Sequence, residues 1–319
     1  SDKYGLEDAN NVGVDESLKD IALYEVPEES TFNNVIDVSK ITLAKIQEKI
    51  PEATVLNSYY QIQAALLFAE SYSNGDNKTL IKLPEGKLDV DASLSTTSYA
   101  FIASNLKNTY IVGNNTTIEI SVNKLLWSGY FKLDNASNVY VSGITFRSKV
   151  PANLSGKITK FDTTNRKIYL DVDSEFNDIC SLISDGKKTL RSYLEFHPST
   201  LAPIQDGNFV VDNFTDYVVS GNVTEGYKIV VTFKTNINES ALGTLCTLQF
   251  AQYDAHGMTI SNSENVYIDN ITMNNASGMA LTASSTKNLY INRFKLVKKA
   301  GSKALMTSCA DAMHFSLLS

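Results

Sequence analysis

The chain has 319 residues, 43% of them apolar, enough for one large domain or two medium ones and too apolar for wholesale disorder. Its net charge is −7 with no basic block, which argues against nucleic acid as the main partner; a pair such as Lys298-Lys299 is ordinary solvated surface. No run of 18 or more apolar residues occurs, so no membrane-spanning helix is expected.

The first residues, SDKYGLEDANN, are polar and lack a signal-peptide core, as in a secreted protein whose leader has been removed. Residues 1–58 form an N-terminal segment, partly irregular, with a short helix over KITLAKIQEKI (40–50) ended by Pro51. YYQIQAALLFAESYS (59–73) has apolar residues at helical spacing and good helix formers. A turn at Asn74-Gly75, a strand over 79–83, a turn over 84–86 and a further strand follow.

From there one phrase recurs: SNLKNTYIVG, DNASNVYVSGITF, SNSENVYIDNITM and SSTKNLYINRFKL. Asn108, Asn138, Asn265 and Asn288 align, each followed two residues later by Tyr110, Tyr140, Tyr267 or Tyr290 and then by Ile or Val. Short strands repeating every 20 to 30 residues with Asn at a turn point to stacked coils, because one coil cannot bury its apolar face alone. The expectation is an all-β, right-handed parallel β-helix, its open end capped by the 59–73 helix. Asn108 to Asn138 spans 30 residues and Asn265 to Asn288 spans 23, whereas Asn138 to Asn265 spans 127. About 104 residues therefore lie outside the repeat, and their alternating strands with Asn/Gly/Asp turns read as an inserted antiparallel barrel or sandwich. The expected organisation is 1–58, a first β-helical part over 59–146, the insert over 147–250, and a continuation over 251–319.

A fainter repeat joins AHGM (255–258), ASGM (276–279) and ADAM (310–313). Its variable positions, His256, Ser277 and Asp311, would stack as a polar column lining a groove if the register follows the motif. Ordinary packing of small residues with solvent-facing variable positions satisfies the same pattern. His314, three residues after Asp311, would face the other way in a strand unless a bend intervenes. His197, before Pro198, reads as a structural histidine. Cys180, Cys246 and Cys309 have the spacing of neither a zinc site nor a disulfide framework and read as small buried hydrophobes. No nucleophile elbow, phosphate loop, zinc-protease helix or dinucleotide fingerprint is present. DVDSEFND (171–178) lacks the Gly and Glu of a calcium loop, and Asn77, Asn213 and Asn222 begin N-x-[ST] triplets expected by chance in so Asn-, Ser- and Thr-rich a chain.

Taken together, a helix leading to IKLPEGKLDV, an all-β segment after NVYVSGITF, then AHGM, ASGM and ADAMHF, resemble the β-helical exo-α-1,3-galactosidases of glycoside hydrolase family 110. The resemblance implies release of terminal α-1,3-linked galactose from a glycan, with inversion, without metal or cofactor, by a bacterial protein that is secreted or at the cell surface. It implies that Asp311 is a catalytic aspartate and that His256 and His314 bond sugar hydroxyls or position it; Ser277 joins them as a substrate-binding candidate from the column. An inverting glycosidase needs two carboxyl groups about 6.5–9.5 Å apart. The family supplies a pair of adjacent aspartates about one coil later, which this chain lacks. The chain is therefore expected to be a piece of a longer enzyme, stopping mid-coil at Ser319 with the second carboxylate beyond it. Two other readings stay open. One is a non-catalytic glycan-binding module, such as a surface adhesin or tailspike. The other is a lyase or polygalacturonase-like enzyme on acidic glycans, which needs Lys/Arg clusters that the column does not have close in sequence.

Overall fold

The structure, a computed structural model, describes residues 25–121, 127–251, 253, 256–305 and 311–316. It begins with β1 (Asn34–Asp37), the short helix α1 (Leu43–Gln47), the long helix α2 (Ser58–Tyr72), β2 (Thr79–Lys82) and β3 (Gly86–Val90). The next four strands are β4 (Tyr99–Ser104), β5 (Lys107–Ile120), β6 (Gly129–Asp134) and β7 (Ser137–Ser148). Between them the chain alternates between two parallel sheets, because β4 pairs with β6 and β5 with β7.

An antiparallel region follows: β8 (Asn153–Asp162), β9 (Lys167–Val172), helix α3 (Asn177–Ile183), β10 (Ser192–Phe196), β11 (Phe209–Val211), β12 (Phe214–Asn222), β13 (Gly226–Phe233) and β14 (Leu245–Gln249). The alternation then resumes with β15 (Met258–Ser261), β16 (Glu264–Met273), β17 (Leu281–Ser284), β18 (Lys287–Asn292), β19 (Lys295–Leu296) and β20 (Met313–Ser316).

The larger parallel sheet runs β1-β2-β5-β7-β16-β18, with β3 also on β5 and β19 also on β16; the smaller runs β4-β6-β15-β17-β20. One core lies between them. From the large sheet it takes the aligned row Ile81, Ile111, Val141 and Ile268; from the small sheet it takes Phe101, Phe131, Met258 and Leu281. Helix α2 adds Ile62, Leu66 and Phe68. The aligned tyrosines alternate with these aliphatics and so take the outer face, where Tyr267 and Tyr290 stack with ring centres 4.5 Å apart.

The right-handed parallel β-helix expected from the repeat, with an inserted barrel or sandwich, is not what these strands build. They form two parallel sheets and an open seven-stranded antiparallel half-barrel in the order β11-β10-β14-β8-β9-β13-β12, and no right-handed solenoid is evident among the described residues. The half-barrel has its own core around Leu154, Ile168, Ile229, Phe233 and Leu248. The physical reason for the difference is that an Asn-x-Tyr repeat specifies parallel neighbours in register. Two sheets satisfy that pairing, and the spacing alone carries no winding.

The repeated Asn has a clear role. Asn108, Asn138, Asn265 and Asn288 all sit at φ near +50° (48 to 53°), the left-handed region that Asn tolerates better than most residues. Their side chains form an amide ladder across the strands: Asn138 donates to Asn108 at 3.0 Å, Asn265 to Asn138 at 3.0 Å, and Asn288 to Asn265 at 2.8 Å. A second left-handed column holds Asn105, Asn135, Asn262 and, in fourth place, Ser285. Asn138→Ala should lose about 2–3 kcal/mol, from left-handed strain plus two ladder bonds, and Asn138→Gly roughly 1 kcal/mol. Ser285→Asn should gain roughly 0.5–1 kcal/mol, since Asn suits that backbone. Urea unfolding midpoints of the three variants check the order.

Candidate functional site

The register of the small sheet decides which candidates meet. Met258 lies opposite Leu281, and Leu281 opposite Met313. Two residues back along each strand, this row contains His256, Met279 and Asp311. Ser277 is offset by two, because Met258 and Met279 of the short motif are not register partners. Ser277 is buried, and its carbonyl accepts from the Gln249 side chain at 3.2 Å, at the junction with the half-barrel. The structure therefore brings His256 and Asp311 into one row and leaves Ser277 out of it.

Asp311 and His314 are brought together directly, with Nδ1 of His314 3.0 Å from Oδ2 of Asp311. A bend at Ala312 makes this possible, turning the chain so that residues three apart share a side. Both side chains are solvent-accessible, 67% for Asp311 and 52% for His314. His256 Nδ1 accepts the Met279 backbone N–H at 3.1 Å, so in the neutral ring the proton resides on Nε2. His197 bonds locally to Ser199, as a structural histidine would. Cys180 and Cys246 are free and buried, and burial pushes the Cys180 thiol up to about 12; Cys309 lies outside the described residues.

A row of hydroxyls runs across the outer face of the small sheet toward this pair. Tyr99 Oη is 2.6 Å from Thr259 Oγ1, which is 2.8 Å from Thr282 Oγ1, and Thr282 is the register partner of His314. Tyr99 reaches Thr259 by lying over Gly129, where any Cβ would run into its ring. Burial raises the Tyr99 phenol, so it serves as a neutral donor or acceptor. The sequence offers a signal for this row, since Thr259 and Thr282 are 23 residues apart, the same interval as Asn265 and Asn288.

Asp311 also lines a cleft of about 200 Å³ at the ends of the large-sheet strands, beside the half-barrel. The crossing segment after β19, residues 297–305, reaches from one to the other: Ser302 Oγ and the Lys303 backbone N–H bond to Glu175, and the Leu305 N–H donates to Ser155 at 3.0 Å. Asn275 is held at the floor by Tyr130 Oη at 2.7 Å and the Ser148 N–H at 2.8 Å. Charged walls come from Arg147, Lys149, Lys298 and Lys299 against Glu119, Glu175 and Asp311. Glu119 is bonded by Arg147 Nε at 2.7 Å and Lys87 Nζ at 3.2 Å. Among the described residues, neither Glu175 nor Asp311, apart from its histidine, has a cation at ion-pair distance. The basic residues are far apart in sequence and gather only through the fold, so no basic cluster shows near Asp311 in the sequence. No group of three or more metal-ligating side chains occurs among the described residues.

No family model matches the chain. It is similar to α-1,3-galactosidase B of Bacteroides thetaiotaomicron, 20% identical over 219 residues that make up 63% of this chain. The match spans 34% of that protein's length. A solved structure from Parabacteroides merdae, provisionally described as a glycosyl hydrolase, overlaps 89% of the chain and 97% of its own, at 9% identity and a TM-score of 0.33, too low to carry functional weight.

In the parent, Gly129→Ala should destabilise by about 1–3 kcal/mol through the clash with Tyr99. In a Tyr99→Ala background the same change should do so by clearly less. A double-mutant cycle by thermal unfolding measures the difference. By its sequence match, the chain is glycosyl hydrolase-like.

Proposed function

We propose that the chain is part of a glycoside hydrolase that releases terminal α-linked galactose, with α-1,3 linkages as its natural target, working outside the cell or at its surface. The observation that carries this is the Asp311–His314 pair, solvent-accessible on the wall of a cleft in a chain whose relative is an α-1,3-galactosidase. In inverting hydrolysis a carboxylic acid gives its proton to the glycosidic oxygen as that oxygen leaves C1. A carboxylate takes a proton from the water that forms the new C1–O bond on the opposite face. With Oδ2 held by His314, Asp311 keeps Oδ1 for one of these two steps. His256, in the same row, and the Thr259–Thr282 hydroxyls suit the binding of sugar hydroxyls.

A second reading has a specific observation in its favour. The other cleft carboxylates, Glu119 and Glu175, are both engaged in hydrogen bonds, so the described residues offer Asp311 no free partner carboxyl in the cleft. A glycan-binding module without turnover fits that arrangement.

The protein at its full natural length separates the two on α-1,3-linked galactobiose. Galactose release with β-galactose as the first anomer seen by NMR, cut roughly 10²–10⁴-fold by Asp311→Asn, is the expected result. Binding of the disaccharide with no release would establish the binding module instead.

A further inference from the structure

The cleft beside Asp311 carries an arrangement that a neutral sugar does not require. Arg147 is mostly buried, with its side chain 19% exposed. Its Nε is committed to Glu119, which fixes the plane of the guanidinium. Its two Nη groups make no hydrogen bond among the described residues, so a planar fork of donors stands at the cleft wall without an acceptor. Lys149, Lys298 and Lys299 line the same cleft, exposed and with no carboxylate within ion-pair distance among the described residues. Four cations, Arg147, Lys149, Lys298 and Lys299, face three carboxylates, Glu119, Glu175 and Asp311; Glu119 is paired with Arg147 and Lys87, and Glu175 is bonded by the neutral Ser302 hydroxyl and Lys303 backbone N–H. The surplus is therefore cationic, in a protein whose overall charge is −7.

We propose that this cleft binds a glycan carrying an anionic substituent, a sulfate or a carboxylate, on or next to the sugar that meets Asp311. A tetrahedral sulfate or planar carboxylate accepts two N–H bonds from an Arg fork, which a neutral hydroxyl does not. The three lysines add attraction of a range set by ionic strength, about 8 Å at physiological salt. The cation set is spread along the crossing segment and the end of β7, so the anion would sit across the cleft from the Asp311 carboxylate. This inference rests on the glycoside hydrolase reading for the role of Asp311, but binding tests it without turnover.

Isothermal titration of the full-length protein with four galactose-based oligosaccharides provides the test: a sulfated one, its desulfated form, a galacturonate-containing one and its neutral counterpart. One anionic ligand should bind at least tenfold tighter than its neutral form, with the preference shrinking as salt rises, and whichever acid is preferred identifies the group. Lys298→Gln/Lys299→Gln, which changes only exposed side chains, should remove most of that preference and leave neutral binding unchanged. Arg147→Lys keeps the charge but loses the fork, and should weaken the anionic ligand severalfold. Equal affinity for charged and neutral forms, or a double variant that binds both as the parent does, would overturn the proposal even if galactose is released. Anion-selective binding without any release would uphold it and remove the hydrolase reading instead.

Discussion

The amide ladder through Asn108, Asn138, Asn265 and Asn288 is the constraint on which the rest of the structure depends. Each rung places a residue with φ near +50° at the same corner and ties it by an N–H to O bond to the rung below. The left-handed corner turns the chain between the sheets, and the side-chain amide aligns it with its neighbours. A one-residue slip in a parallel strand would exchange the inward aliphatics for the outward tyrosines, so the ladder and the apolar rows enforce the same register. That agreement survives the 127 residues between Asn138 and Asn265, because the strands on either side still pair Tyr140 with Tyr267 and Val141 with Ile268.

Register also makes the candidate site. Asp311, His256 and the Thr259–Thr282 hydroxyls come from three segments, and only parallel pairing in the small sheet brings these side by side. The bend at Ala312 then does locally what pairing cannot, placing Asp311 within hydrogen-bonding distance of His314. Close approach has its own requirement at Gly129, where the Tyr99 ring occupies the space of a side chain.

Much of this was legible in the sequence, for identifiable reasons. The Asn-x-Tyr phrase marks a backbone geometry few residues adopt and a column in which like side chains stack, so both survive as a visible repeat. The α2 helix was readable from its spacing, within one residue at each end. Winding was not legible, because pairing and register are local while the path between sheets is set by turns whose lengths vary. The Ala-x-small-Met motif misled at Ser277. Three similar tetrapeptides suggested one alignment, but the apolar row Met258–Leu281–Met313 packs into the core and imposes another. Packing of the buried apolar row outweighs resemblance between short motifs. The cleft cations were invisible for a simpler reason: Arg147 and Lys298 are separated by the whole half-barrel in sequence.

The half-barrel and the crossing segment after β19 give that separation a consequence. By bonding Ser302 and Lys303 to Glu175 and Leu305 to Ser155, the half-barrel holds the segment that carries Lys298 and Lys299. The sign of charge a ligand meets in the cleft is then decided by those few side chains and not by the net charge of the chain, since charges beyond about 8 Å are largely screened at physiological salt. An acidic protein can in this way present a basic pocket. The same clasp ties the half-barrel to the geometry of the cleft, because loosening Glu175 would release the segment that carries the lysines.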